Sequence, residues 1–260
     1  MPEAGVEVGA GPGDLFLSIS DVSKVFQAGA DRIEALHHID VGIAKGEFVC
    51  LIGASGCGKS TLLRIIAGFE TPTTGQVLVG GRPIQGPGSD RGMVFQDYAL
   101  FPWLTARENI AFGPRQKGLA QDRIRAIADE YLDMIGLTRF ADRFPYQLSG
   151  GMKQRVAIAR VLANDAGILL MDEPFGALDA LTREQLQAEL LQIWARTHVT
   201  VIFVTHSVEE ATLLGDRVVV MTAGPGRAEG DIPVPLARPR DVSAPDFNDV
   251  RRGLTRRLRR

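Results

Sequence analysis

The sequence predicts an α/β fold: a mostly parallel sheet flanked by helices, with an N-terminal antiparallel β subdomain and an inserted α-helical subdomain. Three observations predict it. Runs apolar at nearly every position recur at Glu47–Ile52, Gly167–Met171 and Val199–Val204, as expected of strands buried on both faces. Each run is followed by a stretch with helical spacing. Ahead of the first run the pattern is alternation instead, over Leu15–Ile19 and again between Ile33 and Ile43, which reads as an antiparallel sheet.

Residues 1–13 are rich in Gly, Pro and Glu and are expected to be mobile. Phe26 falls between the two alternating stretches, at an expected turn, where ordinary core packing is one reading of it. The strand Glu47–Ile52 leads into Gly53-Ala54-Ser55-Gly56-Cys57-Gly58-Lys59-Ser60, which fits the phosphate-loop pattern G-x-x-x-x-G-K-[ST]. Thr61–Gly68 follows as a helix closed by a glycine. Each part has a physical reason. Glycines let the backbone wrap closely and aim its N–H groups inward, and the helix N-terminus favours an anion. Lys59 adds a full positive charge, and Ser60 offers a hydroxyl to Mg²⁺. The sheet is therefore expected to be the core of a P-loop NTPase, with a nucleoside triphosphate as ligand.

Next come the turn Thr71–Gly75, the strand Gln76–Val79, and glycine-rich punctuation at Gly80-Gly81 and Gly86-Pro87-Gly88. Gly92–Phe95 reads as a short strand that delivers Gln96. The loop Asp97–Trp103 carries large rings that either fill the core or form a docking patch. Residues 105–163 are mostly helical, with Ile124, Ile127, Tyr131, Leu132 and Ile135 on one face and a break at Pro145. Leu148-Ser149-Gly150-Gly151 opens a helix over Met152–Leu162, either as a plain N-cap or as a second anion site.

The run Gly167–Met171 ends in Asp172-Glu173, which places both acids at the carboxyl edge of the sheet. Asp172 is the natural partner of Mg²⁺, and Glu173 either deprotonates a water or caps a helix. Pro174 ends the strand, Phe175–Asp179 is a short connection, and Arg183–Thr197 reads as a helix. Val199–Val204 ends in Thr205-His206, and this histidine is either structural or a γ-phosphate contact. Val208–Leu214 reads as a helix and Arg217–Met221 as the last strand, after which Gly224-Pro225-Gly226 is expected to turn the chain outward. No internal repeat is present, which predicts one nucleotide site per chain. From Asp246 onward, Phe247, Val250, Leu254 and Leu258 alternate with arginines. Such a basic amphipathic helix either lies on an anionic membrane or packs its apolar side on the domain.

Composition narrows the function. A net charge of −2 gives no case for nucleic-acid binding. The two cysteines, Cys50 and Cys57, sit in or beside the phosphate loop, which argues against a disulfide framework and suits a reducing compartment. The four histidines show no zinc spacing. No apolar run reaches the length of a membrane span, so the expected place is the cytoplasm, with membrane contact through a partner or a peripheral surface.

Taken together these pieces resemble the ATP-binding subunit of an ABC transporter, from about Leu15 to Met221. Leu148-Ser149-Gly150-Gly151-Met152-Lys153-Gln154-Arg155 is the most specific part, because it matches that family's signature. The resemblance implies ATP and Mg²⁺ as ligands, with Lys59, Glu173, Gln96 and His206 in catalysis and Ser60, Asp172 and Gln96 at the metal. It implies that Gly53 to Thr61 cradle the phosphates and that Phe26 stacks on adenine. Gln96 becomes the glutamine joining core to helical lobe, Asp179 the aspartate of the dimer-contact loop, and His206 the switch histidine. Ser149, Gly150 and Gly151 would meet the ATP of a second copy in a head-to-tail dimer. The implied layout is an ATP-binding domain over residues 14–240, a helical subdomain over about 97–160, and a basic tail over 241–260. The implied partners are membrane permease subunits and, indirectly, a substrate-binding protein, with the chain peripheral on the cytoplasmic side of the inner membrane. Gly86–Gln96 and Phe101-Pro102-Trp103-Leu104-Thr105 are similar to the nitrate, sulfonate and taurine importer group. The rival classes fit less well. Repair ATPases of this type need a long coiled coil, translation factors need two tandem ATPase domains, and a nucleotide-binding regulatory module has no need of Glu173.

Overall fold

The computed structural model describes residues 15–29, 31–176 and 178–258; the stretch 1–13 expected to be mobile lies outside them. Two strands, β1 (Leu15–Ala28) and β2 (Asp31–Ala44), form a long antiparallel hairpin, with Gly29 at φ +65° in its turn. β3 (Phe48–Gly53) is buried throughout and runs into the phosphate loop and α1 (Lys59–Ala67), which Gly68 closes in the left-handed conformation. β4 (Thr74–Val79) returns to pair with β1, and β5 (Arg82–Pro83) completes a four-stranded antiparallel sheet in the order β2-β1-β4-β5.

The chain then reaches the far edge of a second sheet at β6 (Arg91–Val94). The helical subdomain follows: α2 (Ala106–Gln116), α3 (Gln121–Met134) and α4 (Gly150–Leu162). The core resumes with β7 (Ile168–Asp172), α5 (Ala180–Thr197), β8 (Thr200–Thr205), α6 (Val208–Leu214) and β9 (Arg217–Thr222). β10 (Arg227–Pro233) and α7 (Pro245–Leu258) close the chain. The second sheet has the order β10-β9-β3-β8-β7-β6, parallel except for the edge strand β10.

Strand alternation divides the interior into two cores. Phe48, Cys50 and Ile52 of β3 join Leu169 and Met171 of β7 and Val201 and Phe203 of β8 on the face covered by α2 to α7. Val49 and Leu51, with Leu170, Ile202 and Val204, face α1 and the antiparallel sheet. Both faces are covered, which is why these runs are apolar at every position. All the parallel strands end on the same side, so Gly53, Asp172 and Thr205 share one edge.

The structure corrects three expectations. Phe26 does not sit at a turn: it lies inside β1, opposite Ile33. β1 continues past Ile19 because irregularities after Ile19, Val22 and Lys24 break the alternation without ending the pairing. β9 is not the last strand, and Gly224–Gly226 does not turn outward. Gly226 N–H donates to Ala35 O (3.2 Å), His37 N–H donates to Gly226 O (2.9 Å), and β10 returns along β9. A Cβ on Gly226 would lie 2.8 Å from Ala35 O and run into Cys57 O, so only glycine allows this approach to the back of the phosphate loop. In the tail, whose placement the sequence left open, Phe247 and Leu254 are 1 % exposed and α7 packs against α6 and β9.

Candidate active site

The phosphate loop is shaped by backbone positions that exclude side chains. Gly56 and Gly58 have φ of +79° and +87°. A Cβ on Gly58 would lie 2.5 Å from Leu36 Cδ2 and 2.7 Å from Ala35 O, and one on Gly53 would lie 2.6 Å from Cys57 Sγ. Gly58 is also the N-cap of α1, so no side chain caps that helix, and its first turn carries no acid. The free N–H groups and the helix dipole are therefore left for a ligand anion. Ala54, Ser55 and Gly56 are exposed, and Cys57 is buried. Lys59, 6 % exposed, folds its ammonium onto its own loop, donating to Gly53 O (2.8 Å) and Ala54 O (3.0 Å).

Asp172 and Glu173, adjacent in sequence, point to different partners. Ser60 Oγ donates to Asp172 Oδ1 at 3.1 Å, joining the start of α1 to the end of β7. Burial pushes the Asp172 carboxyl above its ordinary range, and the Ser60 hydrogen bond offsets part of this. The Glu173 backbone takes φ +45°, and its N–H donates to Val204 O (3.0 Å). Its Oε2 lies 3.2 Å from Nδ1 of His206, just past the end of β8.

A cleft of about 590 Å³ opens here, lined by Ser60, Phe95, Gln96, Asp97, Asp172 and Glu173. Gln96 closes one side: the point where a Gly176 Cβ would stand is 3.7 Å from Gln96 Nε2 and 4.0 Å from Glu173 Oε2. Among the described residues there is no group of three or more His, Cys, Asp or Glu able to hold a metal. The hydroxyl and carboxylate of Ser60 and Asp172 nevertheless fit Mg²⁺, a hard cation that takes one or two protein oxygens and completes its shell with water and substrate phosphates.

Other site residues read from the sequence stand outside this cleft. Ser149 caps α4, accepting from Met152 N–H at 3.3 Å, and Gly150 and Gly151 are the first helical residues with no acid in the first turn. Gly150 abuts Tyr98 and Leu178. Asp179 caps α5, accepting from Thr182 Oγ1 (2.6 Å) and Thr182 N–H (3.0 Å), bonds that hold its carboxyl below the usual range. Phe26 belongs to neither hydrophobic core; it is half-buried, with Lys24 Nζ 4.8 Å from its ring centre.

Two groups beside the site escaped the sequence reading. Thr205 Oγ1 donates to the buried Glu210 Oε2 at 2.5 Å, and Glu210 also faces Gln187 and Arg183 of α5. The available signal was Ser207-x-x-Glu210, the spacing of a capping box. Ser207 does cap α6, accepting from Glu210 N–H at 3.2 Å, but the carboxylate turns to Thr205.

Comparison with known proteins adds the following. Residues 36–176 match the family described as ABC transporter. The chain is 48% identical over 231 residues to the nitrate import ATP-binding protein NrtD of Synechocystis sp., covering 89% of this chain and 86% of that protein. It is 52% identical over 229 residues to the bicarbonate transport ATP-binding protein CmpD of the same organism, covering 87% and 81%. Among solved structures it is similar to the ATP-binding cassette MJ0796 in a dimeric post-hydrolysis state bound to ADP and Pi. That likeness has a TM-score of 0.73 at 35% identity, over 85% of this chain and all of the other.

Proposed function

The chain belongs to the ABC transporter family, and from that premise we propose that it works as a head-to-tail pair driving membrane permease subunits that take up a small anion. It is an ATPase of the nitrate-type group. The observation that carries the dimer reading is the separation of two half-sites. Ser60, Gln96, Asp172 and Glu173 line one cleft and Lys59 lies in the adjoining phosphate loop, while Ser149, Gly150 and Gly151 start a helix with no acid in its first turn, outside that cleft. A second copy supplies that helix start, and the neighbouring Asp179 lies at the contact.

The chemistry follows from the geometry. Ser60 and Asp172, with Gln96 beside them, would hold Mg²⁺, which would supply charge neutralisation at the phosphate oxygens. Lys59 exchanges its two backbone carbonyls for phosphate oxygens, and the free N–H groups of α1 take the rest. Glu173 accepts the proton of the attacking water as its oxygen bonds to the γ-phosphorus and the bond to the β,γ-bridging oxygen breaks. His206, 3.2 Å from Glu173, holds the carboxylate on one side and reaches the γ-phosphate on the other. Phe26 stacks on the adenine.

The partner reading is supported by the ring-rich loop. Trp103 is 70% exposed and tilts against Phe101, which packs on Phe112. Asn109, fully buried, holds the loop by donating to Phe101 O, Leu104 O and Thr105 O and accepting from Phe101 N–H. A rigid apolar surface of this kind suits a helical segment of a membrane subunit. The relatives named for nitrate and bicarbonate transport support a small anion as solute. No helix among the described residues is long and apolar enough to cross a membrane, and we place the chain on the cytoplasmic face through its partner.

Glu173→Gln tests the reading. Hydrolysis should fall about 10²–10⁴-fold, as for loss of a general base, while ATP binding persists and ATP-dependent dimers accumulate. Mixing Lys59→Ala with Ser149→Arg chains should restore activity absent from either homodimer, because one composite site is intact. Near wild-type hydrolysis in Glu173→Gln, or no ATP-dependent dimer in any variant, overturns it.

A further inference from the structure

We propose that Glu210 is a positioning residue that ties the His206 turn to the connection carrying Asp179, so that one buried carboxylate sets both. The inference rests on the roles given above to His206 and Asp179.

Glu210 is 8% exposed, on the first turn of α6. One oxygen takes the 2.5 Å bond from Thr205 Oγ1, and the same hydroxyl accepts from Ser207 N–H at 3.0 Å. Both neighbours of His206 are thereby fixed, and with them the direction of the imidazole toward Glu173. The other oxygen faces α5: Gln187 Nε2 donates to it at 3.4 Å, and Arg183 Nε stands 3.7 Å away. Arg183 in turn donates Nη2 to Leu178 O at 2.9 Å, and Leu178 precedes Asp179. A displacement of the Asp179 loop therefore reaches His206 through Arg183, Glu210 and Thr205. Thr205 and Gln187 are themselves 2% and 7% exposed, so neither would gain water on losing Glu210.

Glu210→Gln keeps the volume and breaks one arm. Its single oxygen can still accept from Thr205, but its amide N–H then faces the donors of Gln187 and Arg183. The expected result is a kcat about tenfold lower with nucleotide affinity within about twofold of wild type. Thr205→Val, which severs only the β8 arm, should give a similar loss. The readout that a merely structural role would not reproduce is the double variant with His206→Ala. If Glu210 acts through His206, the double variant hydrolyses ATP at the rate of His206→Ala alone. Wild-type kcat in Glu210→Gln overturns the proposal, and so does a loss that multiplies with that of His206→Ala. Wild-type kcat in His206→Ala overturns the role of His206 as well, which separates that failure from failure of the Glu210 link alone.

Discussion

Replacing Gly58 by alanine separates two contributions to the shape of the phosphate loop, and Gly56 provides the control. Both residues have left-handed backbones, at φ +87° and +79°. An L-residue there costs about 1–2 kcal/mol. The surroundings differ. A Cβ on Gly56 meets nothing within 4 Å, whereas one on Gly58 meets Leu36 Cδ2 at 2.5 Å and Ala35 O at 2.7 Å. Leu36 is 0% exposed and cannot swing into solvent, and Ala35 O is backbone of β2. Overpacking of this kind costs a further ~1–3 kcal/mol. The totals are ~1–2 kcal/mol for Gly56→Ala and ~2–5 kcal/mol for Gly58→Ala. At roughly 2–4 °C per kcal/mol for a chain near this size, Tm should fall roughly 2–8 °C and 4–20 °C respectively. Thermal unfolding by circular dichroism without nucleotide measures both. Equal losses would refute the contact argument, because only the contacts distinguish the two sites.

Further outcomes follow from the same geometry. Phe26→Ala should weaken nucleotide binding by ~1–3 kcal/mol, the worth of stacking one base on an aromatic ring, and leave Tm nearly unchanged because Phe26 is outside both cores. A fluorescent-nucleotide titration with unchanged affinity would remove the adenine role. Phe247→Ala should cost ~3–5 kcal/mol in the isolated chain, since this ring is 1% exposed under α7; an unaltered Tm would mean the tail does not hold to the domain in solution. Burial raises the carboxyl pKa of Glu210 in the folded state. Its contribution to stability is then fully present below the ordinary glutamate value of the unfolded chain and is lost as pH rises through the higher folded value. The Tm difference between wild type and Glu210→Gln should therefore shrink from acid toward neutral pH, and a difference independent of pH would contradict the burial argument.

The parts legible in the sequence were those whose causes are local. The phosphate loop is contiguous, and its glycines, lysine and hydroxyl announce their own geometry. The central strands are buried on both faces, so composition alone exposes them. The parts that escaped depend on distant partners. β10 carries only Ala228 and Ile232 as apolar residues and ends in Pro233, because an edge strand has one neighbour to satisfy. Phe26 looked like a turn residue because irregularities hide the continuation of β1. Glu210 bonds to Thr205 across the α6 cap, and spacing shows only the cap.

The contact of Gly226 with the loop has a temporal consequence. The ribosome makes every residue of the phosphate loop, and everything matched by the family over 36–176, before it makes β8 and β9, which flank β3, or Gly226, which backs Cys57 and Ala35. A nascent chain that ends before Gly226 holds all the phosphate-binding residues without the wall that sets their curvature. The wall behind the loop is complete only once the C-terminal strands lie beside and behind a motif already made.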